Sequence, residues 1–185
     1  MKRIITLILI FACSAIFMRG QNAPVVVEGG LRGLINIVPG SAVSGITPFA
    51  EVVFLPFAIP LQEGGYNRLG ISAALGFPWI NGSAGFMVFP LAEAHVVGRF
   101  GFVEKVPIDL SGGFGWRFTQ ATSQFYGTAT VRAGYFFLEQ LMGQAYFGYR
   151  FWPNPAYAAD IYHNPAMLGS MQLGLALIWR FTGSK

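Results

Sequence analysis

Three residue types that can together perform nucleophilic chemistry stand near the middle of this sequence: His95, Asp109 and Ser111. An acyl-transfer relay needs a hydroxyl, an imidazole to take its proton, and an acid to hold that imidazole in one tautomer. Here the three fall on neighbouring segments in which every second residue is polar anyway, so their co-occurrence implies no geometry and no catalytic residue is assigned. The run Ser111-Gly112-Gly113-Phe114-Gly115 has neither a following lysine nor a following helical pattern, so it is not a phosphate loop. His163 has Asp160, Tyr157 and Tyr162 nearby, but one imidazole and one acid are too few for a metal site. No metal and no other cofactor is expected.

The remaining chemistry is ionic. Arg32, Arg68, Arg99, Arg117, Arg132, Arg150 and Arg180 each stand on a different segment, seven of the eight, in the same phase as Glu28, Glu51, Glu93, His95 and Asp109. The elements that carry them alternate with period two, which is a strand pattern. The clearest is the last, where Met171, Leu173, Leu175, Leu177, Trp179 and Phe181 share one side while Gln172, Gly174, Ala176, Ile178 and Arg180 share the other. The same test predicts eight strands over 25–37, 46–58, 67–79, 85–102, 106–118, 123–137, 141–152 and 168–181. Pro56 and Pro90 remove ladder donors, so each marks a bulge, a later strand start or, at Pro90, an additional turn.

The chain is 54% hydrophobic and 11% charged, against roughly 25% charged in soluble domains. Lys2 and Arg3, the apolar run Ile4 to Phe17, and the small or polar residues Gly20 to Ala23 read as a secretory signal peptide, so residues 1–20 are expected to be removed. The rival reading, a lipobox at Ile10-Phe11-Ala12-Cys13 with Cys13 acylated, is disfavoured by bulky Phe11. With the leader go Lys2, Arg3 and Arg19, leaving nine basic residues against eight acidic ones. Nucleic acid is therefore not an expected partner. After the leader no window of 18 residues is apolar and uncharged, which disfavours a spanning helix.

Alternation alone permits a soluble barrel with its apolar side inward. The apolar side here is too large and aromatic for that, and Lys105 and Lys185 are the mature chain's only lysines. An inside-out barrel accounts for both facts, because a closed sheet satisfies its backbone in lipid and about 9–11 tilted residues cross the bilayer. In this pattern residues 21–185 resemble the small bacterial outer-membrane barrels, the eight-stranded OmpA/OmpX/OmpW-like type. The stretch Gln172-Leu173-Gly174-Leu175-Ala176-Leu177-Ile178-Trp179 resembles the terminal signal that the barrel assembly machinery reads, with Gln172, Gly174, Leu177 and Trp179 as its elements.

That resemblance implies a fold class, all-β and a closed antiparallel transmembrane barrel of up-and-down topology, and a location in the bacterial outer membrane. Its expected partners are outer-membrane lipid and the assembly machinery; it is expected to be a monomer, with a surface ligand of unknown kind. The expected role is non-enzymatic: envelope structure or surface interaction around a lumen filled by Glu28, Arg32, Glu51, Arg68, Glu93, His95, Arg99, Asp109, Arg117, Arg132, Arg150 and Arg180. The alternatives are a narrow conduit and a lipid-modifying enzyme whose acyl slot would be lined by Val53, Leu55 and Phe57. Trp79, Trp116, Trp152 and Trp179 fall near strand ends, as an interfacial girdle would place them.

Overall fold

The computed structural model describes residues 25–37, 44–59, 67–77, 79–82, 85–88, 90–103, 105–118, 123–151 and 169–181. The leader, Cys13, Trp152, Asp160 and His163 lie outside the described residues. The strands are β1 (Val26–Ile37), β2 (Ser44–Ala58), β3 (Arg68–Gly76), β4 (Trp79–Gly82), β5 (Gly85–Val88), β6 (Leu91–Val103), β7 (Val106–Phe118), β8 (Ser123–Phe136), β9 (Leu141–Phe151) and β10 (Gly169–Phe181). All except β4 and β5 join in one up-and-down wall of eight strands in which every neighbour is antiparallel. The wall closes where β1 pairs with both β2 and β10, for instance Leu31 with Ala50 on one side and with Leu177 on the other. Closure leaves the eight strands without an edge, which is how a barrel satisfies its backbone groups.

Val27 pairs with Phe181, Val103 with Val106 and Phe136 with Met142, so the wall's two ends share one rim with the tight connections after β6 and β8. The opposite rim carries the β4–β5 hairpin and the connection spanning residues 152–168.

The strand expected over 85–102 is divided. Residues 85–88 form β5, which pairs with β4, and β4 in turn extends the start of β2 through Ile46 and Trp79. The barrel strand β6 begins at Leu91 because Pro90 has no N–H to give the ladder, although its carbonyl accepts from the Phe118 amide at 2.9 Å. The strand expected over 67–79 likewise stops at Gly76, and Trp79 opens the side hairpin instead of closing β3.

The other proline sits at a bulge. Between Phe54 and Phe57 the β2–β3 register shifts, so that Leu55 and Pro56 together oppose Gly70. A Cβ on Gly70 would drive into the carbonyl of Phe54 and the backbone of Leu55. Gly112, by contrast, faces outward at the middle of β7, with its nearest neighbour 4.0 Å from where a Cβ would stand. Gly70→Ala is therefore expected to cost about 1–3 kcal/mol by overpacking, and Gly112→Ala to stay within about 0.5 kcal/mol. Urea unfolding of the two variants checks the contrast; equal losses would mean the bulge does not fix the close approach.

The exposure pattern is inverted relative to a soluble protein. Leu31, Ile71, Leu75, Leu110, Phe114, Val131, Phe147 and Leu175 are exposed, whereas nearly every charged side chain of the strands is buried. Aromatic rings lie over outward glycines, Phe181 over Gly29, Phe151 over Gly127 and Phe137 over Gly143, each covering backbone that its cross-strand or neighbouring glycine leaves bare. Trp116 and Trp179 face outward near opposite rims.

Candidate functional site

Because β-strand side chains alternate, each barrel strand delivers its in-phase polar residues to the interior, and the register around the wall decides which of them meet. They form two chains of alternating charge.

The lower chain, near the rim with the wall's ends, runs Arg180–Glu28–Arg99–Asp109. Arg99 clamps Asp109 with Nε and Nη2 at 2.7 and 2.8 Å and donates from Nη1 to Glu28 at 2.7 Å. Arg180 reaches the same Glu28 oxygen at 3.0 Å while its guanidinium lies 4.2 Å above the Phe136 ring. Gln144 donates to the second Asp109 oxygen at 3.0 Å. Two-pronged guanidinium–carboxylate pairs are the strong form of this interaction. Arg68 is half-buried and stands opposite Arg99 in the β3–β6 register.

The middle chain runs Arg132–Glu51–Arg32–Glu93–Arg150. Arg132 donates through Nη1 and Nη2 to the two Glu51 oxygens at 2.9 and 2.8 Å. Arg32 approaches Glu51 at 3.6 Å and bonds Glu93 directly. Glu93 also accepts from Arg150 at 2.8 Å and from the Tyr126 hydroxyl at 2.9 Å. Aromatic faces support the arginines: Phe49 lies 4.1 Å from the Arg32 guanidinium and Tyr126 lies 4.4 Å from that of Arg150. Arg117 is buried higher up, opposite Leu91 and Gln124 in register.

Toward the loop rim the interior also carries neutral polar groups. Asn36 donates to the Thr47 hydroxyl at 2.9 Å and accepts from Gln172 at 3.0 Å. Apolar groups fill the spaces between these layers: Leu34, Phe49, Ala74 and Leu91 pack with Tyr146, and Met142 with Ala176 and Ile178.

The trio His95, Asp109 and Ser111 is not assembled. Asp109 is held by Arg99 and Gln144, and Ser111 bonds Thr130. His95 instead lies 3.3 Å from the Ser72 hydroxyl through Nδ1 and 3.7 Å from Glu93 through Nε2. That Glu93 distance is beyond a hydrogen bond, and the carboxylate is already engaged by Arg32, Arg150 and Tyr126. Val53 and Leu55 do face inward, where they pack with Val97 and Val26. Among the described residues no group of three or more potential metal-binding side chains occurs.

Of the residues resembling an assembly signal, Gln172 is buried against Asn36, Gly174 is pressed against Leu34, and Leu177 and Trp179 are exposed outward. Tyr126, Tyr146 and Gln144 belong to the interior network although charge alone did not mark them; their in-phase positions on β8 and β9 were the available sign.

No protein-family model and no curated protein matches the chain. Solved structures do. The N-terminal β-barrel domain of Pseudomonas aeruginosa OprF is similar at 10% identity, a TM-score of 0.55, and coverage of 87% of this chain and 100% of that one. Neisserial surface protein A is similar at 10% identity and a TM-score of 0.50, covering 86% of this chain and 98% of that one. The attachment invasion locus protein Ail of Yersinia pestis, solved with the heparin analogue sucrose octasulfate, gives 9% identity, a TM-score of 0.50, and coverage of 85% and 97%. Similarity at this level is one of fold: the chain has the fold of the small outer-membrane barrels.

Proposed function

We propose that this chain is a monomeric integral protein of a bacterial outer membrane, with a plugged interior, acting without catalysis in envelope structure or in surface contact through its loop rim. The observation that carries the reading is the inverted exposure: two alternating ion-pair chains and their aromatic supports occupy the inside while Leu, Val, Ile and Phe side chains form the outside. In water such an exterior would be one continuous apolar patch, far beyond what soluble monomers tolerate. In lipid it is the required surface. The placement of Trp116 and Trp179 toward opposite rims matches the two interfaces of a bilayer.

The interior supports a plug over an aqueous passage. Eight strands leave only enough room for side chains to fill, and here the filling is cross-linked by charge-assisted bonds from Arg32 to Glu93, Arg99 to Asp109 and Arg132 to Glu51. Surface contact, if it is the role, would use the rim that bears the β4–β5 hairpin. Its connections, residues 38–43, 77–90, 119–122 and 152–168, contain one acidic residue, Asp160, and no lysine or arginine. A polyanion is therefore a poor match for this rim, and an apolar or hydrogen-bonding partner a better one.

Heat-modifiable gel migration and resistance to carbonate extraction are expected of the protein in membranes. Release as a soluble product would end the reading. Purified barrel in planar bilayers is expected to conduct no ions; steady anion-selective conductance would favour the conduit instead, for which the excess of interior arginine over carboxylate is the supporting feature.

A further inference from the structure

The two carboxylate oxygens of Glu93 keep different company. Oε1 accepts from the Tyr126 hydroxyl at 2.9 Å and from Arg150 at 2.8 Å, which anchors the carboxylate on the side of β8 and β9. Oε2 is bonded by Arg32, and the Nε2 atom of His95 stands 3.7 Å from that same oxygen. Two basic groups thus converge on one acceptor, and only Arg32 holds it.

His95 is almost completely buried on β6, and its Nε2 has no hydrogen bond among the described residues. Its Nδ1 lies 3.3 Å from the Ser72 hydroxyl of β3, and its register partner on β7 is Gly113, which brings no side chain. The charged groups around it are Glu93 on its own strand, Arg32 on β1, Glu51 on β2 and Arg132 on β8, with Arg150 of β9 held on the far oxygen of Glu93. As acidity rises, an imidazole is the side chain that ordinarily gains its charge first.

Arg32 has a second place to go. Its Nη1 has no hydrogen bond among the described residues and lies 3.6 Å from Glu51 Oε2. Its guanidinium is stacked 4.1 Å from the Phe49 ring, a face that fixes the plane of the group but not the direction in which it donates. Glu51 already takes both terminal nitrogens of Arg132, at 2.9 and 2.8 Å, yet an ionised carboxylate can accept about four hydrogen bonds.

We propose that a proton on His95 moves Arg32 from Glu93 to Glu51. The imidazolium donates from both nitrogens, so it takes Glu93 Oε2 through Nε2 and the Ser72 hydroxyl through Nδ1, and Arg32, repelled by it, turns Nη1 to Glu51. The first pairing ties β1 to β6, three places away round the wall, whereas the second joins β1 to its immediate neighbour β2. Acid therefore releases a tie across the interior while Glu93 and Glu51 both stay paired. The inference concerns regulation of the plugged interior and rests on that reading, in which side chains and not water surround Glu93.

Nuclear magnetic resonance of the refolded barrel in detergent micelles, isotope-labelled at histidine and arginine nitrogens, is to be followed as the pH is lowered from neutrality until the barrel unfolds. The guanidinium signals of Arg32 are expected to shift with the same midpoint as the His95 imidazole, while those of Arg99, clamped on Asp109, stay in place. In His95→Gln the Arg32 signals are expected to stay fixed over the same range. Ser72→Ala alters only the partner of Nδ1 and carries the test if His95→Gln does not fold, since the midpoints of Arg32 and His95 must coincide in it too. The proposal is overturned by Arg32 signals that stay fixed while His95 titrates, by a shift that persists in His95→Gln, or by a His95 that takes no proton before the barrel unfolds. Conductance in planar bilayers is read on the same protein: a conducting barrel whose Arg32 follows His95 sinks the plug and keeps the switch, and a non-conducting barrel whose Arg32 stays fixed does the opposite.

Discussion

A Glu93→Gln barrel is expected to lose about 3–5 kcal/mol of stability, the range for breaking a buried ion pair by removing one partner. Glu93 is the most heavily used carboxylate of the interior, taking Arg32, Arg150 and the Tyr126 hydroxyl, with His95 close by. Glutamine keeps the volume and shape, so the loss is electrostatic rather than a cavity. It takes from Arg32 and Arg150 the carboxylate they share, and it turns an amide N–H₂ toward their guanidiniums. Pairing the change with Arg150→Met should restore part of the loss, because the second substitution removes one of the two guanidiniums that Glu93 serves. Glu28→Gln should cost less, since one of its partners, Arg180, keeps a side chain 24% exposed and can turn to water. Urea midpoints of the four proteins check the order; a loss below about 1 kcal/mol for Glu93→Gln would mean that the chain of charges contributes no more than exposed pairs do.

The alternation of Val106–Phe118 could be read to the residue, because each inward position after Pro107 is Asp, Ser, Gly or Arg and each outward one except Gly112 is large and apolar. The hairpin of β4 and β5 could not. Its arms, WING and GFMV, are four residues each with no polar phase, too short for a period to show and joined to β6 by an apolar stretch that looks continuous with it. Only Pro90 hinted at the break.

In the interior, phase told which side chains point inward but not which of them meet. Glu28 is bonded by Arg99, 71 residues away, and Glu51 by Arg132, 81 residues away. Those partnerships depend on the stagger accumulated around eight strands, a property of the closed sheet that no local window contains. The same limit explains why Asp109, Ser111 and His95 looked like neighbours. Their strands are adjacent, yet Asp109 sits beside Arg99, and His95 stands opposite Ser72 on one side and Gly113 on the other. Charge was a good guide to the arginines and a poor one to Tyr126, whose hydroxyl bonds Glu93, and to Tyr146, whose ring stands near Arg32 and Arg132.

An aspartate at Leu175 should block assembly, while one at Ala176 should be tolerated far better. The two positions are adjacent at the middle of β10 and differ only in the side of the wall they face: Leu175 is 72% exposed and Ala176 8%. At Leu175 the substitution removes a side chain worth about 1.5–3 kcal/mol in apolar surroundings. It also sets a carboxylate at mid-depth, where a lysine or arginine costs about 2–4 kcal/mol and an acid somewhat less. At Ala176 the new carboxylate would crowd Met142 and Ile178, which is a packing cost. Yet its register neighbours are Arg32 on β1 and Gln144 on β9, so it would arrive beside a guanidinium. Insertion of the two variants into lipid vesicles, followed by heat-modifiable migration, should therefore show folded band for Ala176→Asp and little or none for Leu175→Asp. Equal folding of both would reverse the assignment of inside and outside, and with it the reading of the interior as the protein's polar half.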